Sequence, residues 1–392
     1  MTGESFIDVD FDQKSKHGQV VCGDLFLSRK IKEEGRVISV LSDGLGSGVK
    51  ASVLASLTAT MAIRYTQAFV DARRSARTIM DTLPICEVRK ISYSTFSIID
   101  LDADGRTRII EHGNPPLVLL RDDRELPLLK DTFTLEEWKD REISHADFPI
   151  QLGDRLVCFS DGVTQAGMGQ SGFPLGWGRD RVVQFLRKII RDEPDISSRD
   201  LATQLVDEAL AIDGGKVKDD ITAAVIYFRR PRRLLVATGP PFSRDHDAEL
   251  ANLVRTFPGK TAICGGTTAS IVSRLLKRDV TMDLQHLDPH IPPSSSMEGV
   301  DLITEGTLTL ARVADLLENG SRADLAGSNA ACQLAQLMLE SDIVQFVVGT
   351  RINQAHQDPN IPVELDLRRN IVRRLALALE QRHLKETAVR FL

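Results

Sequence analysis

The stretch Leu41-Ser42-Asp43-Gly44-Leu45-Gly46-Ser47-Gly48 constrains this chain most, because it joins an apolar run to a helix through nearly bare backbone. Val37, Ile38, Val40 and Leu41 predict a buried strand, and Asp43-Gly44 ends it. Gly44, Gly46 and Gly48 let the main chain approach a ligand closely before a helix expected over residues 49–65. A carboxylate at a strand end beside bare backbone suits a hard cation. Asp-Gly is also a common turn dipeptide, so this stretch alone leaves a plain turn and a ligand site both open.

Two other stretches and one lone acid shift that balance. Leu156-Val157-Cys158-Phe159-Ser160-Asp161-Gly162 repeats the design of an apolar strand followed by Ser-Asp-Gly. Lys218-Asp219-Asp220-Ile221-Thr222 opens a strand over residues 221–228 with paired acids. Upstream, Asp24 interrupts the apolar run Val20-Val21-Cys22-Gly23-Asp24-Leu25-Phe26. Acids at such places, each flanked by apolar runs, read as a shared metal site rather than as solvated charge.

In their order, Gly23-Asp24 with Phe26, Ser42-Asp43-Gly44 with Gly46 and Gly48, Ser160-Asp161-Gly162, and Asp219-Asp220-Ile221-Thr222 resemble the motifs of SpoIIE-like phosphatases. These are a branch of the metal-dependent (PPM, type 2C) protein serine/threonine phosphatases. His112-Gly113-Asn114-Pro115-Pro116-Leu117 is similar to that branch's Gly/His/Asn/Pro turn, and the resemblance covers about residues 10–230. It implies two Mn²⁺ or Mg²⁺ ions, about 3.5–4 Å apart in such sites, and hydrolysis of a phosphoserine or phosphothreonine by a metal-bridging water. Carried over residue by residue, Asp43 bridges both ions, Asp24 and the Gly44 carbonyl hold one, and Asp161 and Asp219 hold the other. Asp24, Asp43, Asp161 and Asp219 form the implied catalytic set, and Asp220 stands behind them or holds a further weak ion. Because water attacks, Ser42 and Ser160 are read as turn residues, and His112 stays outside the catalytic set.

The departures from the wider family lie at Gly23, where an acid is common, at Leu45, where a His is common, and in the segment of Lys14, Lys16 and His17, where an Arg is common. The branch often lacks that Arg, and the phosphate-binding residue stays open, with a solvated face favoured for Lys14 and Lys16. In related phosphatases the helical region after the Gly-rich loop acts as a switch, which implies that a shift of residues 49–80 sets metal affinity.

With 392 residues the chain suits two domains, expected at 1–230 and 231–392. Arg229, Arg230, Arg232 and Arg233 flank Pro231 and read as a solvated joint, and a net charge of −6 argues against a nucleic-acid surface. Cys22, Cys86, Cys158, Cys264 and Cys332 lack metal-ligand spacing and suggest a reducing compartment. The N-terminus carries Asp8, Asp10 and Asp12 and no apolar core, so no signal peptide is expected. No run approaches the roughly 18 apolar residues of a membrane span, and a cytoplasmic protein is expected.

The fold class expected for the first domain is an α+β sandwich, type 2C phosphatase-like, with two sheets flanked by helices. A hairpin is read from strands at 19–28 and 36–41, helix over 49–80 with a break near 69–71 and a stop at Pro84, and strands at 92–101, 106–111 and 117–120. Residues 121–145 read as a charged surface insertion and 166–172 as a flexible loop, with helices at 179–191 and 198–212. Beyond residue 234, short apolar strands alternate with helical patterns, which predicts a smaller α/β domain with a mostly parallel sheet. A turn-rich loop is expected at 289–296. Thr238-Gly239, Gly265-Gly266-Thr267-Thr268, Glu305-Gly306-Thr307 and Gly349-Thr350-Arg351 each follow an apolar strand. They form a candidate pocket for a small anionic ligand or a phosphorylated segment, though caps and turns use the same residues.

The expected activity is therefore a metal-dependent protein phosphatase, governed by its switch helix and C-terminal domain. Its implied substrate is a phosphorylated regulatory protein such as an anti-sigma-factor antagonist. A homodimer stays open, and neither nucleic acid nor membrane is an expected partner. The alternative is a catalytically silent phosphatase fold that signals through its C-terminal domain. A third reading places the main chemistry in 231–392.

Overall fold

The computed structural model describes residues 5–392 except 69–70, 83–93, 136–137, 284–287, 290 and 352–360. It divides into two compact units, Met1–Arg230 and Pro231–Leu392. Pro84, Cys86, the first residues of the strand expected at 92–101, and position 290 of the turn-rich loop lie outside the described residues.

The first unit is the expected α+β sandwich. Its strands are β1 (Phe6–Lys14), β2 (Asp24–Ile31), β3 (Arg36–Gly44), β4 (Ser94–Asp102), β5 (Arg106–His112), β6 (Val118–Arg121), β7 (Arg124–Leu126), β8 (Asp131–Leu135), β9 (Trp138–Pro149), β10 (Asp154–Phe159) and β11 (Ile221–Arg229). One sheet runs β1-β11-β10-β6-β7 and the other β2-β3-β4-β5-β9-β8, every pairing antiparallel. Helices α1 (Val49–Ala68) and α2 (Ala72–Thr82) cover the second sheet. Helix α3 (Asp161–Gln165) is a short turn after β10, while α4 (Arg179–Asp192) and α5 (Ser198–Ile212) cover the first sheet.

Period-two alternation explains the layering, and the apolar runs are continuous because both faces are buried. Val37 and Leu41 of β3 enter the core between the sheets, whereas Ile38 and Val40 pack under α1 and α2. On the other sheet, Leu156, Cys158, Ala224 and Ile226 face inward, and Val157, Phe159, Ala223 and Val225 meet α4 and α5.

The boundaries differ from expectation in three places. The acidic N-terminus forms β1, where Ile7, Val9 and Phe11 alternate with acids, and buried Asp8 is paired with Arg229 at 3.1 Å. Strand β2 starts at Asp24, since Val20 and Val21 are exposed and gain nothing from joining the sheet. The charged segment 121–145 is not an insertion but extends both sheets through β7, β8 and the start of β9. Phe133 and Ile143 are buried from it, and the charges surrounding them hid the alternation.

The second unit contains β12 (Arg233–Thr238), α6 (Asp247–Thr256), β13 (Lys260–Cys264), α7 (Gly266–Leu276), β14 (Thr281–Met282), β15 (Ser295–Met297), β16 (Val300–Thr304) and α8 (Thr307–Asn319). It continues with α9 (Arg322–Leu325), α10 (Ala330–Glu340), β17 (Ile343–Val348), α11 (Ile361–Arg382) and β18 (Glu386–Phe391). The order is β14-β15-β16-β13-β12-β17-β18, with β16 through β18 parallel and the β14-β15 edge antiparallel. Helices α8, α10 and α11 bury one face, and α6 and α7 the other. Among the described residues, no helix is long and apolar enough to cross a membrane.

Candidate metal centre

Five acids from distant parts of the chain meet where corresponding ends of the two sheets converge. Asp24 opens β2 and lies directly opposite Asp43 near the end of β3. Asp161 follows β10, Asp219 and Asp220 precede β11, and the Ser160 amide donates to the Thr222 carbonyl at 2.9 Å. A β carbon on Gly23 would lie 2.7 Å from an Asp220 carboxylate oxygen, which brings the two sheets to one place.

Bare backbone makes this convergence feasible. A side chain on Gly44 would strike the Ala51 carbonyl in the first turn of α1, and one on Gly162 would strike the Asp220 carbonyl, each at 2.1 Å. The two Ser-Asp-Gly repeats thus share a physical cause, a main-chain neighbour in contact with the glycine. Their serines tie strands together. Ser42 Oγ donates to the Thr95 carbonyl at 2.9 Å, and Ser160 Oγ accepts from the Thr222 amide at 3.0 Å.

The electrostatics are those of crowded like charges. Burial, then the neighbouring Asp43, pushes the Asp24 carboxyl well above the ordinary carboxylate range. Burial, then Asp161 and Asp219, raises Asp43 to about 7. Asp161 is raised by burial and by Asp219, and it accepts a 2.7 Å hydrogen bond from Gln165 Nε2. Among the described residues, Asp24 Oδ2 is buried with no hydrogen-bond partner.

Divalent cations suit this donor set: hard oxygens, surplus negative charge and an orphaned carboxylate oxygen. Among the described residues, no three His, Cys, Asp or Glu side chains close around a single point. Any ion held here would draw part of its shell from water, as Mg²⁺ commonly does.

A cation from the chain also reaches the cluster. Lys16 Nζ lies 3.7 Å from Asp219 Oδ1, and its amide donates to Asp220 Oδ1 at 2.9 Å. Lys14 instead faces Asp207 on α5 at 3.8 Å. Sequence spacing left these two lysines equivalent.

The family model described as Stage II sporulation protein E (SpoIIE) matches residues 33–229, half of the chain. The chain belongs to the SpoIIE family. Stage II sporulation protein E of Bacillus subtilis (strain 168) is 22% identical over 214 residues, which is 54% of this chain and 24% of that protein. The chain thus spans about a quarter of the length of that curated relative. Among solved structures, the phosphatase domain of SpoIIE from Bacillus subtilis is similar at 16% identity and a TM-score of 0.46, covering 59% of this chain and 95% of that one. The RsbU and RsbW domains of Rv1364c from Mycobacterium tuberculosis give 17% identity and a TM-score of 0.48, covering 65% and 68%.

Within the SpoIIE-matched region, His112 ends β5, with Nδ1 3.1 Å from the Glu142 carbonyl and its ring against Phe96. Asn114 matters more to the centre than sequence reasoning allowed. Its side chain binds the Ser97 and Thr95 hydroxyls and donates to the Leu41 carbonyl at 3.4 Å, bracing β3 just before Asp43. The Gly/His/Asn/Pro turn was the available signal.

The C-terminal candidate residues lie at the carboxyl ends of β16, β13, β12 and β17 and form two groups. Gly239 and Gly349 press backbone against backbone under the Arg368 guanidinium, and the Gly349 amide donates to the buried Thr238 carbonyl. Thr350 donates to the Leu392 carbonyl, and Arg351 donates its amide to the Pro240 carbonyl. Gly265 and Gly306 form the second group, with Gly266, Thr267 and Thr268 opening α7, and with Glu305 preceding and Thr307 opening α8.

Proposed function

We propose that the first unit is a Mn²⁺- or Mg²⁺-dependent protein serine/threonine phosphatase. The observation that carries this reading is the pairing of buried Asp24 with half-buried Asp43, facing Asp161, Asp219 and Asp220 across the joined sheet ends. Such a cluster is costly for a fold without a cation, which argues against a silent module.

Asp24, Asp43, Asp161 and Asp219, with the Gly44 carbonyl, would hold two ions, and Asp220 would brace them or hold a further one. Bound ions supply charge neutralisation and a water acidic enough to attack phosphorus at neutral pH. Gln165 orients Asp161, Asn114 braces β3, and Ser42 and Ser160 lock the strand ends. Lys16 is placed to meet the substrate phosphoryl oxygens once Asp219 is engaged elsewhere. Kinship with SpoIIE supports a phosphorylated regulatory protein as substrate, and the buried free cysteines Cys22, Cys158, Cys264 and Cys332 support a cytoplasmic setting. The Ala-rich packing of α1 on β3 supports a switch that moves Asp43 and Gly44.

The test is hydrolysis of p-nitrophenyl phosphate and of a phosphoserine peptide with Mn²⁺ titrated, for wild type and Asp43→Asn. Turnover should require Mn²⁺ and fall on the order of a hundredfold or more in the variant, as when one charge-stabilising group is lost. Equal turnover by both proteins would refute the assignment.

A further inference from the structure

The second unit carries a feature that the phosphatase reading does not use. Helices α7 and α8 begin side by side at the carboxyl ends of the paired parallel strands β13 and β16, and both carry a threonine at the third helical position. Helix α8 supplies its own anion: a Glu305 carboxylate oxygen accepts the Leu308 and Thr309 amides at 3.1 and 3.3 Å. Helix α7 is preceded at its cap by Gly265, which has no side chain to offer the first amides.

A second observation points to a ligand. Thr268 is 1% exposed, and among the described residues its hydroxyl has no hydrogen-bond partner; the Thr309 hydroxyl of α8 is orphaned in the same way, but there Glu305 already occupies the turn. That hydroxyl faces a hollow over Gly265. An atom at the position of a β carbon there would lie 3.5 Å from Thr268 Oγ1 and 3.9 Å from Gly306 Cα, with no other residue outside the immediate turn in contact. The positive φ of Gly265, 126°, keeps side chains out of this hollow. The Gly265 amide donates to the Thr304 carbonyl at 2.9 Å, which anchors the turn to β16.

We infer that the start of α7 binds the phosphoryl group of a small phosphorylated molecule. One phosphoryl oxygen enters the hollow and accepts the Thr268 hydroxyl, and others accept the Gly266 and Thr268 amides at the positive end of the helix. The orphaned hydroxyl gains a partner, and exposed Gly266 lets the ester group leave toward solvent. Glu305, already engaged by two amides, excludes a second carboxylate from the α8 turn and leaves α7 as the open one.

The probe is inorganic phosphate, titrated calorimetrically into the full chain in EDTA, so that no divalent ion holds phosphate at the first unit. Two variants separate binding from folding. Thr268→Val removes a hydroxyl that has no partner to lose, so its denaturation midpoint should stay level or rise. Gly266→Asp adds a carboxylate where a β carbon meets open space, so the fold should survive while the site carries its own anion. Wild type should bind phosphate saturably and show no binding of acetate at equal ionic strength. Both variants should bind roughly tenfold more weakly or worse, equivalent to one lost charge-assisted contact. No saturable binding by wild type, equal binding of acetate, or unchanged affinity in both folded variants would each overturn the assignment.

Discussion

Asp43 faces Asp24 across two hydrogen-bonded strands, a like-charge pairing that opposes folding unless a proton or cation intervenes. With its folded value near 7 and an unfolded value near that of a free carboxylate, Asp43 holds an extra proton in the folded chain between about pH 4 and 7. In EDTA, the contribution of this group to stability should be greatest below about pH 4, decline as pH rises toward 7, and level off above it. Urea denaturation at stepped pH reads it as the wild-type minus Asp43→Asn difference, which should fall by at least about 2 kcal/mol. Asp24 and Asp161, raised in the same sense, keep part of the slope in the variant, and saturating Mn²⁺ should remove the difference. A metal-free difference that rises from pH 4 to 7 would show that Asp43 is not held as described. Asp43 and Asp161 were legible in the sequence because the Ser-Asp-Gly design recurs. The positions of Lys16 and Asn114 were not, since Lys16 meets Asp220 across 204 positions and Asn114 reaches Leu41 across 73.

At the scale of elements, α1 is the piece best built to move. It buries Ala51, Ala55, Ala59 and Ala62 beside Ile63 over the β3 side of the sheet, and its first turn rests on Gly44, so small side chains make up most of its buried face. A leucine at fully buried Ala55 should lift the helix from the strand at a cost of about 1–3 kcal/mol. If α1 positions Asp43, half-saturating Mn²⁺ for p-nitrophenyl phosphate hydrolysis should rise at least about fivefold, although no acid has changed. A destabilised variant with unaltered Mn²⁺ dependence would remove the switch role and leave α1 as packing. Helices α4 and α5 were readable from their apolar periodicity. Strand β1 was obscured by its three acids, and β8 and β9 by charge on their exposed sides. Helix α10 shows little amphipathic pattern in the sequence because Ala330-Ala331-Cys332-Gln333-Leu334 is apolar almost all round, and its start is marked by the Asn329 side chain accepting the Cys332 amide.

At the scale of the whole molecule, each unit has buried cores of its own, and all five acids of the candidate centre fall in the first. The fold class of both units was legible because hydrophobic periodicity and the order of strands and helices survive local errors in boundaries. The division of the C-terminal candidate residues into two groups was not, because the contacts of Gly239 with Gly349 and of Gly265 with Gly306 depend on strand order. The placement of the acids makes the last prediction. A fragment of residues 1–230 should fold and hydrolyse p-nitrophenyl phosphate with the Mn²⁺ requirement of the full chain, since no proposed ligand lies beyond Arg230. Residues 231–392 alone should show no Mn²⁺-dependent hydrolysis. Parallel assays of the two fragments decide where the chemistry resides. Turnover by 231–392 with none from a folded 1–230 would move it to the α/β unit and return the acid cluster to a structural role. Turnover by 1–230 at a rate different from that of the full chain would keep the chemistry in place and identify the second unit as a regulator of it.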